Sequence, residues 1–153
     1  MTALLAKVSI FLVFCAVVGF LLGRLIRGRQ PAIERARPRI AISGTYLRDA
    51  HDKSLSPHTR MRCAFEATYF CLSEVAEENG IVVGRAHPNV ELVRVGLSVL
   101  NASNEECRTV ELLARWAAAT TPSMPEVSVK DACKMAARIH DETVSRLSAA
   151  PAR

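Results

Sequence analysis

Residues 56–80 read SPHTRMRCAFEATYFCLSEVAEENG, and this stretch determines the fold class that we predict. Serine followed by proline, here Ser56-Pro57, is a typical helix start, because serine caps free backbone amides and proline fits the first helical position. Glycine is typical just past a helix end, so Gly80 marks the stop. Between these signals apolar residues recur at the helical spacing of three or four. They are Met61, Ala64, Phe65, Thr68, Leu72, Val75 and Ala76.

Three further helices are predicted downstream by comparable start signals. These signals are Pro88-Asn89, the capping box of Ser103 with Glu106, and the pair Ser128 with Asp131. Prolines within residues 120–125 interrupt the pattern, and residues 45–51 are a shorter helical candidate. We therefore predict an all-α domain over residues 43–148, arranged as an antiparallel four- to five-helix bundle, with a tail at residues 149–153.

An apolar segment near the N-terminus predicts a single transmembrane helix. Residues 8–23 hold sixteen residues without a charge, and Lys7 extends the run because its stem can reach the interface. About twenty apolar residues cross the hydrocarbon core of a bilayer. A cleaved signal peptide is the alternative, but the run ends without a small-x-small cleavage site. We assign residues 1–27 to an anchor with a basic flank and residues 28–42 to a linker.

Positive charge is concentrated beside this anchor and predicts its orientation. Residues 1–39 carry seven basic residues and one acid, whereas residues 40–153 carry thirteen basic and fourteen acidic residues. Because basic flanks stay cytoplasmic, we expect a single-pass protein of the inner bacterial membrane with its C-terminal domain in the cytoplasm. Arg24, Arg27 and Arg29 then face the lipid bilayer's headgroups. The excess charge belongs to this flank, so nucleic acid is not expected as a partner.

Small residues recur every fourth position in the anchor. On a helix, Cys15, Gly19 and Gly23 form one stripe, which allows close approach of two membrane helices. The stripe therefore predicts association of two anchors, although glycine is also common in membrane helices generally.

No pattern of catalytic, cofactor-binding or metal-binding residues is apparent. The five cysteines are odd in number and form no CxxC pair, so we expect reduced thiols, no metal and no cofactor. His140, beside Asp141 and Glu142, is interpreted as a solvated histidine, with catalysis alongside a carboxylate of another helix as the alternative. Glu66 is either a buried acid paired with Arg62 or a residue at the edge of the core with its carboxylate in water.

Three stretches of the sequence resemble HEPN-like domains, the small helical bundles of bacterial toxin and defence systems. The stretches are SPHTRMRCAFEATY at 56–69, HPNVEL at 87–92 and VSVKDACKMAARI at 127–139. The resemblance covers about residues 43–148, and it implies a helical bundle that dimerises or pairs with a protein partner.

The chain lacks the residue pattern that carries out catalysis in active members of that family. Active members resemble one another in an Arg-x4-6-His motif, which supplies the cation and the base for metal-independent RNA cleavage. Here Arg115 lies near the expected place, but Thr120, Thr121 and Pro122 stand where the histidine belongs. The resemblance therefore implies the fold without the nuclease motif.

Three functions follow as hypotheses from these patterns. The first is a membrane-anchored, non-catalytic interaction module of HEPN-like fold that forms a homodimer or binds a protein partner. The second is an RNA- or nucleotide-directed enzyme whose displaced site uses Arg115, His140 or Glu66. The third is a lipid-surface protein whose function lies in residues 1–39. No small-molecule substrate is indicated.

Overall fold

The computed structural model describes residues 37–82, 84, 87–119 and 123–149. They form five α-helices and, within those ranges, no strand, which confirms the all-α fold class. The helices are α1 (Pro38–His51), α2 (Pro57–Glu78), α3 (Val90–Val99), α4 (Asn104–Ala119) and α5 (Val129–Ala149). None of these five is both long enough and apolar enough to span a membrane. The predicted anchor, its small-residue stripe and its basic flank lie outside the described residues.

Helix α2 begins and ends where the sequence predicts. The Ser56 hydroxyl accepts a hydrogen bond from the backbone amide of Thr59 at 3.1 Å, and Pro57 is the first helical residue. At the other end, Gly80 adopts a φ of 84°, a left-handed conformation that glycine adopts without steric cost. Capping at both ends is a local effect, which is why this helix is readable from the sequence.

The three downstream helices also start at the predicted caps. The Asn89 side chain accepts from the backbone amides of Glu91 and Leu92 and so caps α3. Ser103 and Glu106 bond each other's backbone amides before α4, at 2.9 and 3.3 Å, which is the reciprocal capping box. The Ser128 hydroxyl accepts from the Asp131 amide at 3.1 Å and caps α5.

Helix α1 begins at Pro38, so the prediction of a linker over residues 28–42 and of a domain starting at residue 43 is wrong from residue 38 onward. Ile40 is fully buried against the rest of the bundle. Two arginines at the start of α1 also form ion pairs with the end of α2, and we call this set the arginine clasp. Its members are Arg37, Arg39, Glu74, Glu77 and Glu78. These partners are distant in sequence, and Arg37 gives no side-chain cap, so the start of α1 lacks the capping signal that marks the other four helices.

Helix α2 lies at the centre and packs against each of the other four. At one end of α1 the Ala50 carbonyl accepts from Arg60 of α2 and Cys133 of α5, and at the other end Ser43 contacts both helices. Helix α1 therefore runs antiparallel to α2 and α5, and these two are parallel to each other. The prediction of an antiparallel bundle holds for α1 with its two neighbours but is wrong for the α2–α5 pair.

Helices α2 and α3 cross at very close range. A β-carbon placed on Gly96 of α3 would lie 2.8 Å from the β-carbon and 2.9 Å from the carbonyl oxygen of Leu72. Only glycine allows this approach without a shift of the α2 backbone. On α4, Trp116 is 8% exposed, and its indole donates to the Ser123 carbonyl at 2.7 Å.

Candidate functional site

The three residues predicted as a functional surface lie in three separate places. Arg115 is exposed on α4. Glu66 is buried on α2 and pairs with Arg62 and a loop histidine, and His140 is buried between α1, α2 and α5. The contacts described for Glu66 and His140 are with other residues. The three residues do not form a shared site.

Glu66 is at the centre of a polar cluster that we call the Glu66 cluster, made of Arg62, Glu66, Tyr69 and His87. The Glu66 residue is 8% exposed, so the expectation of a carboxylate in water is wrong and the buried, Arg62-paired alternative is confirmed. Arg62 Nε donates to Glu66 Oε1 at 2.8 Å, and its Nη1 donates to the Ala117 carbonyl in the last turn of α4 at 3.0 Å. Arg62 thus binds a free carbonyl at the C-terminal end of α4 as well as the buried carboxylate of Glu66.

His87 completes the Glu66 cluster and is the residue that sequence reasoning missed. Its Nε2 lies 3.1 Å from Glu66 Oε2, and the Tyr69 ring stands edge-on to the imidazole with 4.4 Å between centroids. The Glu66 carboxylate accepts a hydrogen bond from Nε2–H, so in the neutral ring Nδ1 is the acceptor. A carboxylate that orients a half-exposed imidazole is an arrangement suited to general base catalysis. The sequence offered only His87-Pro88-Asn89 as a helix start.

His140 is 6% exposed, so its interpretation as a solvated histidine is wrong. Ser43 of α1 covers it, with 3.0 Å between Ser43 Oγ and His140 Nδ1. The Ser43 hydroxyl also donates to the Ala67 carbonyl at 2.8 Å and lies 3.0 Å from Cys71 Sγ. Serine has one proton to donate, so both His140 Nδ1 and the Cys71 thiol must donate to Ser43 Oγ.

This buried group of Ser43, Cys71 and His140 contains no activated nucleophile. Burial raises the pKa of the Cys71 thiol to about 11, and its hydrogen-bond contacts with Ser43 and Thr143 only partly oppose this shift. A thiol with that pKa stays protonated at neutral pH, whereas the thiolate is the attacking form. The Ser43 hydroxyl is fully buried, and it donates its hydrogen bond to the Ala67 carbonyl. The group therefore fixes α1 onto α2 and α5.

An open cleft of about 900 Å³ lies between α1 and α5 on the outer side of that group. Its lining residues are Ala41, Gly44, Thr45, Leu47, Arg48, His51, Asp52, His140 and Asp141. The α1 wall of the cleft has small, largely apolar side chains towards the N-terminal end of the helix and charged side chains towards its C-terminal end. The Ser54 hydroxyl and amide bind Asp52 and lower its pKa, so this rim residue stays a carboxylate.

The described residues show no clustering of metal ligands. Cys63, Cys71, Cys107 and Cys133 are free thiols, and no group of three histidine, cysteine or acidic residues within the described ranges could hold a metal ion.

No family model matches this chain, and neither a curated protein nor a solved structure is significantly similar to it.

Proposed function

We propose that this protein is a membrane-tethered, non-catalytic interaction module of HEPN-like fold whose α1–α5 cleft holds a protein partner. The observation that carries the proposal is the cleft, because its lining combines small side chains with Arg48, Asp52 and Asp141, which form no ion pair among the described residues. The other two polar groups are less available to a partner. The Glu66 carboxylate already contacts Arg62 and His87, and the Ser43 hydroxyl is fully buried.

The lining of the cleft supports a protein ligand. Ala41, Gly44 and Thr45 form a wall of small side chains on α1, which lets a partner backbone approach closely. Arg48, Asp52 and Asp141 add charges of both signs at the rim, a composition common where protein surfaces meet. Protein interfaces use such rims to fix the register and to exclude wrong partners.

The proposed location rests on the sequence of residues 1–39. The apolar segment would anchor the chain in the inner membrane, and the basic flank would keep the bundle in the cytoplasm. Cys15, Gly19 and Gly23 would bring two anchors together within the bilayer. Helix α1 begins at Pro38, so one of the two walls of the cleft is close in sequence to the proposed anchor.

A photo-crosslinking amino acid at Thr45 tests the interaction function. In membranes that carry the full chain, we expect irradiation to give a covalent protein adduct at this position, because Thr45 lines the cleft. Ser98, an exposed hydroxyl residue on α3, is the matched control and should give no adduct. An absence of any adduct at Thr45, or an equal yield at both positions, would contradict the interaction function. Recovery of the full chain outside the membrane fraction would contradict the tether.

A second function, an RNA- or nucleotide-directed enzyme, is favoured by the Glu66 cluster. The cluster places a carboxylate-oriented imidazole beside a guanidinium group, with the His87 side chain 39% exposed and that of Arg62 37% exposed. A base with an adjacent cation is what metal-independent phosphodiester cleavage needs. The buried Glu66 carboxylate compensates the Arg62 cation, however, so this guanidinium leaves little positive charge for a phosphate.

Incubation of the purified full chain with single-stranded RNA in a chelating buffer separates the two functions. We expect no cleavage, because the Arg62 guanidinium is engaged by Glu66 and by the Ala117 carbonyl. Cleavage that His87→Ala abolishes while Arg115→Ala preserves it would move the enzymatic function to first place.

A further inference from the structure

We propose that the arginine clasp is an exchangeable contact: phosphate groups of anionic lipids compete with its three glutamates for Arg37 and Arg39, and so release α1 from the bundle. This inference rests on the proposed membrane tether and names how the α1–α5 cleft is regulated. It follows from the exposure and charge of the clasp and from the shallow burial of α1.

The ion pairs of the clasp are partly open to solvent. Arg37 Nη1 lies 2.8 Å from Glu74 Oε1, and Arg37 Nη2 lies 2.5 Å from Glu78 Oε1. Arg39 contacts Glu77, and its Nη1 is 3.7 Å from Glu74 Oε2. The two arginine side chains are 28% and 31% exposed, so a competing anion can reach both. Ion pairs close to solvent contribute little net stability, which makes their partners replaceable.

An anionic bilayer acts on the two sides of the clasp in opposite directions. Three glutamates face two arginines, and the glutamates lie in the last two turns of α2, where the helix dipole adds negative potential. Lipid phosphates therefore attract the start of α1 and repel the end of α2. Guanidinium groups bind phosphate in the same bidentate way as carboxylate. Only residues 30–36 separate Arg37 from Arg29 of the basic flank, so the clasp is close in sequence to the proposed headgroup contacts.

Helix α1 is the least buried of the five helices and is therefore the easiest to release. Three of its fourteen residues are buried, the smallest share in any of the five. They are Ile40, Ser43 and Ala50. Ala41 and Gly44 of this helix form one wall of the cleft. Release of α1 would remove that wall and with it the surface on which a protein partner is proposed to bind.

Alkylation of Cys71 in the full chain tests the exchange. Cys71 is fully buried with its Sγ 3.0 Å from Ser43 Oγ, and burial raises its pKa to about 11, so iodoacetamide reacts with it when α1 opens. The chain is reconstituted into phosphatidylcholine vesicles with or without phosphatidylglycerol, and the modified peptide is quantified by mass spectrometry. We expect phosphatidylglycerol to raise the alkylation rate about tenfold, because the locally opened state becomes more populated. The emission maximum of Trp116, the one tryptophan, should stay unchanged because the rest of the bundle remains folded.

The decisive arm is the double variant Arg37→Gln with Arg39→Gln, which removes both the clasp and the groups that bind lipid. With Trp116 emission as in the parent, we expect Cys71 to react quickly in phosphatidylcholine alone and phosphatidylglycerol to change that rate less than about twofold. Arg94→Gln breaks the exposed ion pair with Glu91 on α3 and is the matched control. It should keep the slow rate in phosphatidylcholine and the full response to phosphatidylglycerol.

The remaining outcomes separate this inference from the function on which it rests. A slow rate for the double variant in phosphatidylcholine, or a tenfold response that it retains, would overturn the exchange and leave the tether standing. Soluble glycerol phosphate added to the neutral vesicles should not change the parent rate, and an equal response to it would overturn a lipid surface as the competitor. Recovery of the full chain outside the vesicle fraction would overturn both the tether and the exchange.

Discussion

Replacement of Gly96 by leucine is expected to lower the free energy of unfolding by about 3 kcal/mol or more, because the new side chain meets the backbone of α2. The β-carbon alone would lie 2.9 Å from the Leu72 carbonyl oxygen and 3.0 Å from its α-carbon. Those atoms belong to the central helix, so relief of the clash requires α2 and α3 to separate. Urea unfolding of residues 37–153, followed by far-UV circular dichroism, gives the measurement.

Ser98→Leu is the matched control for this prediction. Ser98 lies two positions further along α3 and is exposed, so the same side chain enters water without a clash. Leucine has a better helix propensity than either glycine or serine, and propensity alone would stabilise both variants by up to about 1 kcal/mol. Equal urea midpoints for the parent and Gly96→Leu would show that the two helices are further apart than described.

Ser43→Ala is expected to lower the free energy of unfolding by about 2 kcal/mol, because three buried groups share the lost hydroxyl. His140 Nδ1 and the Cys71 thiol each lose an acceptor, and the Ala67 carbonyl loses a donor. Ser43 is fully buried, so solvent cannot easily replace the missing oxygen. The same urea titration measures the effect.

Ser145→Ala on the exposed side of α5 controls for the loss of a serine from a helix. Surface changes of this kind usually stay within about 0.5 kcal/mol. A Ser43→Ala variant that unfolds at the same urea concentration as Ser145→Ala would mean that the buried hydrogen bonds do not hold α1 in place.

The elements that the sequence predicts correctly are those whose signals are local. Ser56, Asn89, Ser103 and Ser128 each cap a helix through bonds to residues two or three positions ahead, and a reader of the sequence sees both partners together. The inner face of α2 is likewise visible in the spacing of its apolar residues. The fold class and four of the helix starts follow from such short-range physics.

The incorrect predictions concern features that depend on contacts between residues far apart in sequence. Helix α1 starts in a stretch rich in proline and arginine, and the glutamates that hold its first turn are 35 or more positions away in sequence. Once α1 is placed, Ser43 covers His140, so one missed helix start also explains the error about that histidine. The pairing of Glu66 with His87 spans a loop, and no periodicity relates the two residues.

The arginine clasp sets how far the bundle can move from its proposed anchor. Because Arg37 is already bound to Glu74, only residues 28–36 remain between the anchor's basic flank and the folded domain. At full extension such a length of chain spans about 30 Å, roughly the thickness of the hydrocarbon core itself. The bundle would therefore search a shallow layer beneath the bilayer. If the proposed anchor holds, ligands far from the bilayer would be beyond the reach of the bundle, and proteins of the same membrane would encounter it repeatedly.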